Sequence, residues 1–564
     1  MSSMSAAALI FGGPFTEKAI SQPRFSNNPF SLGVASGEPE PEGVVLWTRL
    51  APEPLAADGR GGMPDRKVPV QWQVAEDSAF RRVVRRGTEF ARPELAHSVH
   101  VEVEGLRPSR QYFYRFKAGP ELSPVGRTKT TPVPGASPES MAFALCSCSN
   151  YPSGFFTAYR YMAEEDLDLV FQVGDYIYEG GGPRNPVQGR QHAPQKEVVS
   201  LAEYRVRYGQ YKSDEDFQAA HAAHPWVVVF DDHELDNNWA DEVPEERSDI
   251  RGEEFLRRRA EAFQAYYEHM PLRRSSVPDG IDMQLYRHFR YGDLAEFNVL
   301  DTRQYRSDQA AGDFIKPPNP EQSDPDRTLT GDEQERWLLD GLSGSRARWN
   351  VLAQQVFFAQ RDFEPGEGEL YSMDAWDGYL ASRDRITTFL QDSSVSNPVV
   401  LTGDVHNNWA NDLLADYDNP DSRVVGSEFV TTSITSFGDG SDYREDTEEI
   451  LAENPHLKFF NNQRGYVRCT LTPQQWRTDF RVLQFVTEPG SPISTRASFV
   501  TEDGEPGVRR VSGDPEPTSR SSQSTEDLVR ELQEGGTRVD KNMGRGRGQA
   551  SRSGGRRSGA SGGR

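Results

Sequence analysis

Residues 143–179 read FALCSCSNYPSGFFTAYRYMAEEDLDLVFQVGDYIYE, and their pattern decides the fold. AFALCSC is an apolar run of strand character, GFFTAYRYMAEED has the spacing of an amphipathic helix, and LDLVFQVGD is a second buried strand. Such a βαβ unit closes right-handed and lays its strands parallel. Cys148 and Asp175 then emerge at the same end of neighbouring strands, the end at which open α/β sheets bind ligands. Two further apolar runs finish alike. WVVVF passes into DDHELDNN, with Asp231, Asp232 and His233, and PVVLT passes into GDVHNN, with Asp404 and His406.

The residue types at these ends are metal donors. A carboxylate such as Asp175 can bridge two cations, because its oxygens direct their lone pairs differently. Tyr178, three residues on, can return its phenol to the same centre, where only an adjacent cation would deprotonate it. Two adjoining acids, Asp231 and Asp232, repel one another unless a cation or donor lies between them. The alternative reading of DDHE is a capped helix N-terminus. Asp404 and His406, two apart, point to one side if the segment is extended. Cys148 is the candidate thiolate, and Cys146 on the same strand is a small hydrophobe. His233 reads as an outer-shell group or a proton donor to a leaving oxygen.

The rest of the chain sets the frame. Short alternating runs between residues 30 and 131, namely GVVLWTRL, VPVQWQVA, HSVHVEVEGL and YFYRFKAG, predict an antiparallel β-sandwich over 28–131. Within it GLRPSRQYFYRF, with Leu106, Pro108 and Tyr112, is similar to the tyrosine corner of immunoglobulin-like and fibronectin type III modules. Residues 132–140 are a Pro/Ser/Gly-rich linker, and a layered α/β domain is expected from 141 to 490. Its further strand pairs are MQLYRHFRY with LAEFNVLDTR and WNVLAQQVFF with PVVLTGDVH, with helices near Gln334 and Arg385 and late antiparallel strands in FVTTSIT and GYVRCTLTPQQWRTDFRVL. Residues 491–564 end in a basic Arg/Gly/Ser tail and are expected to be disordered.

Composition excludes several classes of function. The 564 residues carry a net charge of −23, which argues against general nucleic-acid binding and leaves nucleic acid only as a substrate or as a contact of the basic tail. A phosphate site on this acidic chain must supply its own positive charge, most simply as bound cations. Cys146, Cys148 and Cys469 give no disulfide framework, and no apolar stretch is long enough for a transmembrane segment. The first 27 residues hold a short Ala-rich run that reads as the remnant of an export signal or as a frayed terminus.

Taken together, the Cys, GDxxY, DDHE and GDxH segments resemble those of the calcineurin-like metallophosphatases, and more narrowly the PhoD-type alkaline phosphatases. FSLGVASGEPEPEGVVLWTRLAP, DDHELDNNWAD, LDTRQYR and LTGDVHNNW carry the same resemblance, which spans about residues 28–490. It implies a four-layer αββα sandwich behind an immunoglobulin-like or fibronectin-like β-sandwich. It also implies metal-dependent hydrolysis of phosphomonoesters and phosphodiesters by in-line attack of a hydroxide carried on a centre of ferric iron and calcium. Cys148, Asp175 and Tyr178 would hold the iron, with Asp175 bridging. Asp232 stands where wider relatives carry the Asn of a GNH motif, and Asp404 where they carry the first His of GHxH, while His406 keeps the second. Carboxylates in those places favour calcium. The contribution of Asp231, Asn237 and Asn238 stays open. His233 is the group assigned to the leaving oxygen, and Arg303 the group assigned to a phosphate oxygen. The resemblance further implies a periplasmic or secreted monomer. The alternatives are a phospholipase D-like lipid phosphodiesterase, a nucleic-acid phosphodiesterase guided by the tail, and a surface-binding protein with a vestigial metal site.

Overall fold

The computed structural model describes residues 24–392, 395–419, 421–514 and 516–521. The export-signal reading of the first residues and the basic tail beyond 521 lie outside the described residues.

The βαβ unit forms as its sequence predicts: strand Met141–Cys146, helix Thr157–Glu164 and strand Leu169–Val173, the two strands parallel with Gln172 level with Cys146. Strand Pro225–Val229 adds in parallel beside them. These three lie at the centre of a ten-stranded mixed sheet. A seven-stranded sheet faces it, with Ala295–Val299, Trp349–Ala353, Pro398–Thr402 and Val424–Val430 running parallel in its middle. All five residues of Leu169–Val173, Pro225–Val229, Trp349–Ala353 and Pro398–Thr402 are buried, as expected of parallel strands covered on both sides.

The main core fills the space between the sheets. Phe143 of the first sheet meets Phe297 of the second at 5.5 Å, and Phe171 meets Phe297 at 4.7 Å. Rings at these separations add to area burial, and truncating one such as Phe297 to Ala costs about 3–5 kcal/mol. A second cluster gathers Leu352 and Val400 of the seven-stranded sheet with Leu338, Leu342 and Ile386 of helices Asp332–Gly344 and Leu380–Asp392. On the ten-stranded sheet, Trp226 packs against Tyr159 and Phe217 of two helices.

The strands between Val34 and Lys129 divide between two sheets. Val68–Ala75, Val83–Ala91, Gln111–Ala118, Glu121–Leu122 and Gly126–Lys129 make a separate five-stranded sheet. Val34–Gly37, Val44–Arg49 and Ser98–Val103 instead extend the ten-stranded sheet, because Ser36–Gly37 pairs in parallel with Pro225–Trp226. One apolar cluster, including Val44, Leu46, Val70, Val101, Tyr112 and Phe116, joins these strands to the separate sheet. The Tyr112 hydroxyl accepts the Arg107 backbone N–H at 2.9 Å, the contact expected of the tyrosine motif. Arg287 pairs with Glu38, and the Trp47 indole donates to the Glu268 carbonyl at 3.0 Å. The amino-terminal segment is thus welded to the rest through backbone and side chains.

Two expectations need correction. The folded region does not fade at 490: Ile493–Glu502 and Glu505–Ser512 are the outermost strands of the ten-stranded sheet. The edge strand Glu505–Ser512 is largely exposed and polar, so its sequence has the composition of a tail. The segment that begins FVTTSIT ends a strand, Val424–Val430, which is parallel to Pro398–Thr402 and antiparallel only to Asn408–Leu414.

Candidate metal centre

The four strand ends meet. Gly174 and Gly403, the glycines of the two GD pairs, make the meeting possible. A Cβ on Gly174, where φ is +103°, would lie 2.2 Å from the Asp231 Cβ, and one on Gly403 would lie 2.9 Å from the Ser147 side chain. A residue larger than glycine would push two neighbouring strand ends apart at position 174 and the two sheets apart at position 403. Beyond these glycines the backbone turns left-handed at several polar residues: φ is +61° at Cys148, +56° at Asp175, +60° at both Asp404 and His406, and +50° at Asn238. Non-glycine residues hold this conformation at a cost and cluster at functional sites. Asp404 and His406 therefore reach the centre through a bend rather than from the extended segment that their spacing predicts.

Their donor atoms form three overlapping groups, Cys148 with Asp175 and His406, Asp175 with Asp232 and His233, and Asp231 with Asp232 and Asp404, each within 4.8 Å. Asp175 is common to the first two groups and Asp232 to the last two. Tyr178 completes the first: its hydroxyl donates to Asp175 Oδ2 at 2.8 Å and lies 3.0 Å from His406 Nε2 and 2.7 Å from Ser436 Oγ. The sequence-predicted donors Cys148, Asp175, Tyr178, Asp232, Asp404 and His406 are thus brought into one centre. All except Cys148 line a cavity of about 350 Å³, together with Asn237, Asn238 and Phe437.

Burial without countercharge shapes the electrostatics. Burial pushes Asp175 up to about 7 and Asp404 up to about 8, and raises Asp231 well above the carboxylate range although Arg303 opposes it. For Asp232 burial acts in the same direction, but His233 and Arg303 overcome it and hold that carboxyl low. Burial, then the Asp175 charge, raises both the Cys148 thiol and the Tyr178 phenol. Burial alone would lower His233, yet the Glu179, Asp232 and Asp175 carboxylates raise it well above its ordinary value. His406 is lowered by burial and by Arg464.

Several supporting residues were not singled out by the sequence reading. Glu234 accepts three backbone N–H groups, from Asp175 at 3.1 Å, Tyr176 at 2.5 Å and Asp231 at 2.9 Å, and so ties two strand ends together. Glu179 Oε2 takes His233 Nδ1 at 2.8 Å. Both acids lie inside the motifs, beside the ligands, but their sequence positions gave no direction. Asp374, Asp313 and Arg361 come from segments without a strand-end signal. Asn238 donates to both Asp313 oxygens at 3.1 Å.

Arg303 does not line the cavity. Its fully buried guanidinium gives Nε to Asp231 Oδ1 at 2.5 Å and Nη1 to both Asp374 oxygens at 3.0 Å. Its Nη2 makes no hydrogen bond and lies 3.8 Å from Asp232 Oδ1 and 3.7 Å from Asp404 Oδ1, so the group sits behind the donor carboxylates and not at the cavity surface, where the phosphate-grasping role expected of it would need it.

The fit to cations rests on two atoms. Asp231 Oδ2 and Asp232 Oδ1 are buried and accept no hydrogen bond. A buried carboxylate oxygen without a hydrogen bond is costly, and both residues belong to the third donor group. The donor set fits bound metal ions.

The PhoD-like phosphatase profile matches residues 143–480, and the profile of the PhoD-like phosphatase N-terminal domain matches residues 16–132. The chain is 58% identical over 494 residues to alkaline phosphatase D of Bacillus subtilis (strain 168), covering 87% of this chain and 84% of the relative. A solved structure described as that of PhoD superposes with a TM-score of 0.86 at 55% identity, covering 91% of this chain and 99% of its own.

Proposed function

The chain belongs to the PhoD-like phosphatase family, and on that footing we propose that the cavity hydrolyses phosphomonoesters and phosphodiesters by in-line displacement at a centre of ferric iron and calcium. The observation that carries this reading is the convergence of three donor groups sharing Asp175 and Asp232, with two buried carboxylate oxygens left unpaired.

Cys148, Asp175, Tyr178 and His406 would hold the iron, a sulfur, phenol, carboxylate and imidazole set suited to a transition metal. Asp231, Asp232 and Asp404 offer oxygen alone, which suits calcium, and Asp175 would bridge. Bound ions supply the positive field that acidifies an attacking water and neutralises the phosphoryl oxygens. The protein's own part is positioning. Glu234 fixes the backbone of Asp175 and Asp231, and Arg303 fixes the Asp231 carboxylate. His233 lines the cavity with Nδ1 occupied by Glu179, which leaves Nε2 to give a proton to the leaving oxygen.

The two facing sheets with helix-bearing clusters on their outer sides support a four-layer αββα sandwich. The shared core of the amino-terminal strands supports a β-sandwich ahead of it. No helix among the described residues is long and apolar enough to cross a membrane. A monomer in the periplasm or outside the cell, where phosphate esters are scavenged, belongs to the same proposal, and cell fractionation tests it.

The direct test is elemental analysis of purified protein beside turnover of a small monoester and a small diester. Iron and calcium together with cleavage of both esters support the reading. Full activity without metal, or a metal-replete protein inert to both esters, overturns it.

A further inference from the structure

The arginines around the centre are not equivalent. Arg303 and Arg306 are tied to Asp374, with Asp231 also taking Arg303; Arg303 Nη2 and Arg306 Nε are buried without a partner, but neither residue lines the cavity. Arg464 donates to the Gly438 carbonyl at 2.9 Å, to the His406 carbonyl and to the Ser433 hydroxyl at 3.1 Å. Arg361 differs. It is the only Arg or Lys lining the 350 Å³ cavity among the described residues, where it faces Asp175, Asp232, Asp313, Asp374 and Asp404. Its side chain is 5% exposed, and its Nε is buried with no partner. Its one hydrogen bond among the described residues is made by its backbone amide, to Asp377 Oδ2 at 3.0 Å. Asp377 takes no hydrogen bond from the guanidinium, and its other oxygen takes Arg383 at 2.6 Å.

Aromatic rings hold the group in place. The guanidinium carbon lies 4.3 Å from the centre of Phe357, 4.4 Å from that of Phe363 and 5.6 Å from that of Trp409. Such a cage holds a cation and fixes its plane without using its N–H donors. Behind Arg361, beside Asn407 and Trp409, is a second cavity of about 20 Å³, room for a single water. That space is too small for a phosphate-sized anion, whereas the 350 Å³ cavity is large enough.

We infer that Arg361 is the anion clasp of this site: its guanidinium donates to a non-bridging oxygen of the bound phosphoryl group and keeps it there as inorganic phosphate. A buried cation with unspent donors is tolerated when a ligand supplies the missing acceptors. The inference assigns to Arg361 the phosphate contact expected of Arg303, and it rests on the phosphoester-hydrolase reading above.

The experiment uses the metal-loaded full chain, with inorganic phosphate as the probe. Arg361→Met keeps the packing against the rings and removes the donors. Its inhibition constant for phosphate, and its KM for a small monoester, are expected to rise by roughly 10–100-fold, with iron and calcium content retained and added guanidinium restoring part of the loss. Phosphate-induced thermal stabilisation of the protein is expected to shrink in parallel. Should Arg361→Met fail to fold, Arg361→Lys carries the test, with a severalfold rise expected from loss of the planar fork. Phosphate inhibition and stabilisation equal to those of the unaltered protein would overturn the inference while leaving the phosphatase reading intact. An unaltered, metal-loaded protein inert to both esters would instead remove the reading on which the inference rests.

Discussion

Arg303 and Asp231 meet across 2.5 Å with neither side chain exposed. The pair joins the loop after Ala295–Val299, in one sheet, to the loop after Pro225–Val229, in the other. The same guanidinium continues to Asp374, so one cation spans three segments that surround the metal donors.

Removing that cation leaves the buried Asp231 carboxylate without its countercharge and Asp374 with Arg306 and Gln309 alone. Arg303→Met is expected to lower the stability of the metal-free protein by about 3–5 kcal/mol and to weaken metal retention. Denaturant unfolding with elemental analysis checks both, and a variant with unchanged stability would show that Arg303 is not part of the frame.

The overlap of the donor groups predicts different metal losses. Cys148→Ser depletes iron and leaves calcium, Asp404→Asn depletes calcium and leaves iron, and Asp175→Asn, removing the shared donor, depletes both. Each lowers turnover by at least about 100-fold. Equal loss of both metals in all three variants would argue against two kinds of site.

If His233 serves the leaving oxygen, its effect depends on the leaving group. His233→Gln is expected to slow an alkyl phosphate by about 10²–10⁴-fold and a nitrophenyl phosphate much less, because a good leaving group needs no proton. The comparison of the two rate ratios is the readout, and equal losses would count against an acid role.

Chelation exposes the charge conflict in the centre. In metal-free protein Asp175 and Asp404 titrate near 7 and 8, against 3.8 when unperturbed. Between 3.8 and those values the folded state binds more protons than the unfolded one, so metal-free protein loses stability as pH rises across that interval and levels off above it. Melting temperatures of chelator-treated protein at pH 6.5 and pH 9 give the test, and the metal-loaded protein is expected to show a smaller fall. Equal stability of the chelated protein at both values would contradict the burial of these charges.

Acid acts elsewhere in the metal-loaded protein. Burial lowers His100, His224 and His456 each to about 4, from 6.5. Below 6.5 the unfolded chain takes up protons that the folded rings refuse, so stability falls from pH 6.5 to 4, by on the order of 3 kcal/mol per ring. His100→Gln is expected to be less stable at neutrality but to show a shallower acid slope.

The sequence was most legible where one residue type had a single physical use. The parallel strands are continuous apolar runs, and the donors follow them directly, so the centre could be assembled from Cys148, Asp175, Tyr178, Asp232, Asp404 and His406 with no contact known. Directions were less legible. Asp404 and His406 share the centre because both sit at φ +60°, which spacing alone does not reveal. The polar edge strand Glu505–Ser512 reads as tail because only one side of it meets the sheet.

The chain by itself thus determined the α/β pattern and the chemical kind of its donors, since periodicity and ligand chemistry are local properties written in consecutive residues. Only the tertiary structure decided which charges are spent and which are free. Asp231 and Asp374 tie Arg303 into the frame behind the cavity wall, while the rings of Phe357, Phe363 and Trp409 hold Arg361 at the cavity with its Nε unpartnered. Two arginines identical in sequence terms are separated by which segments fold against them, because pairing and desolvation depend on neighbours distant in the chain.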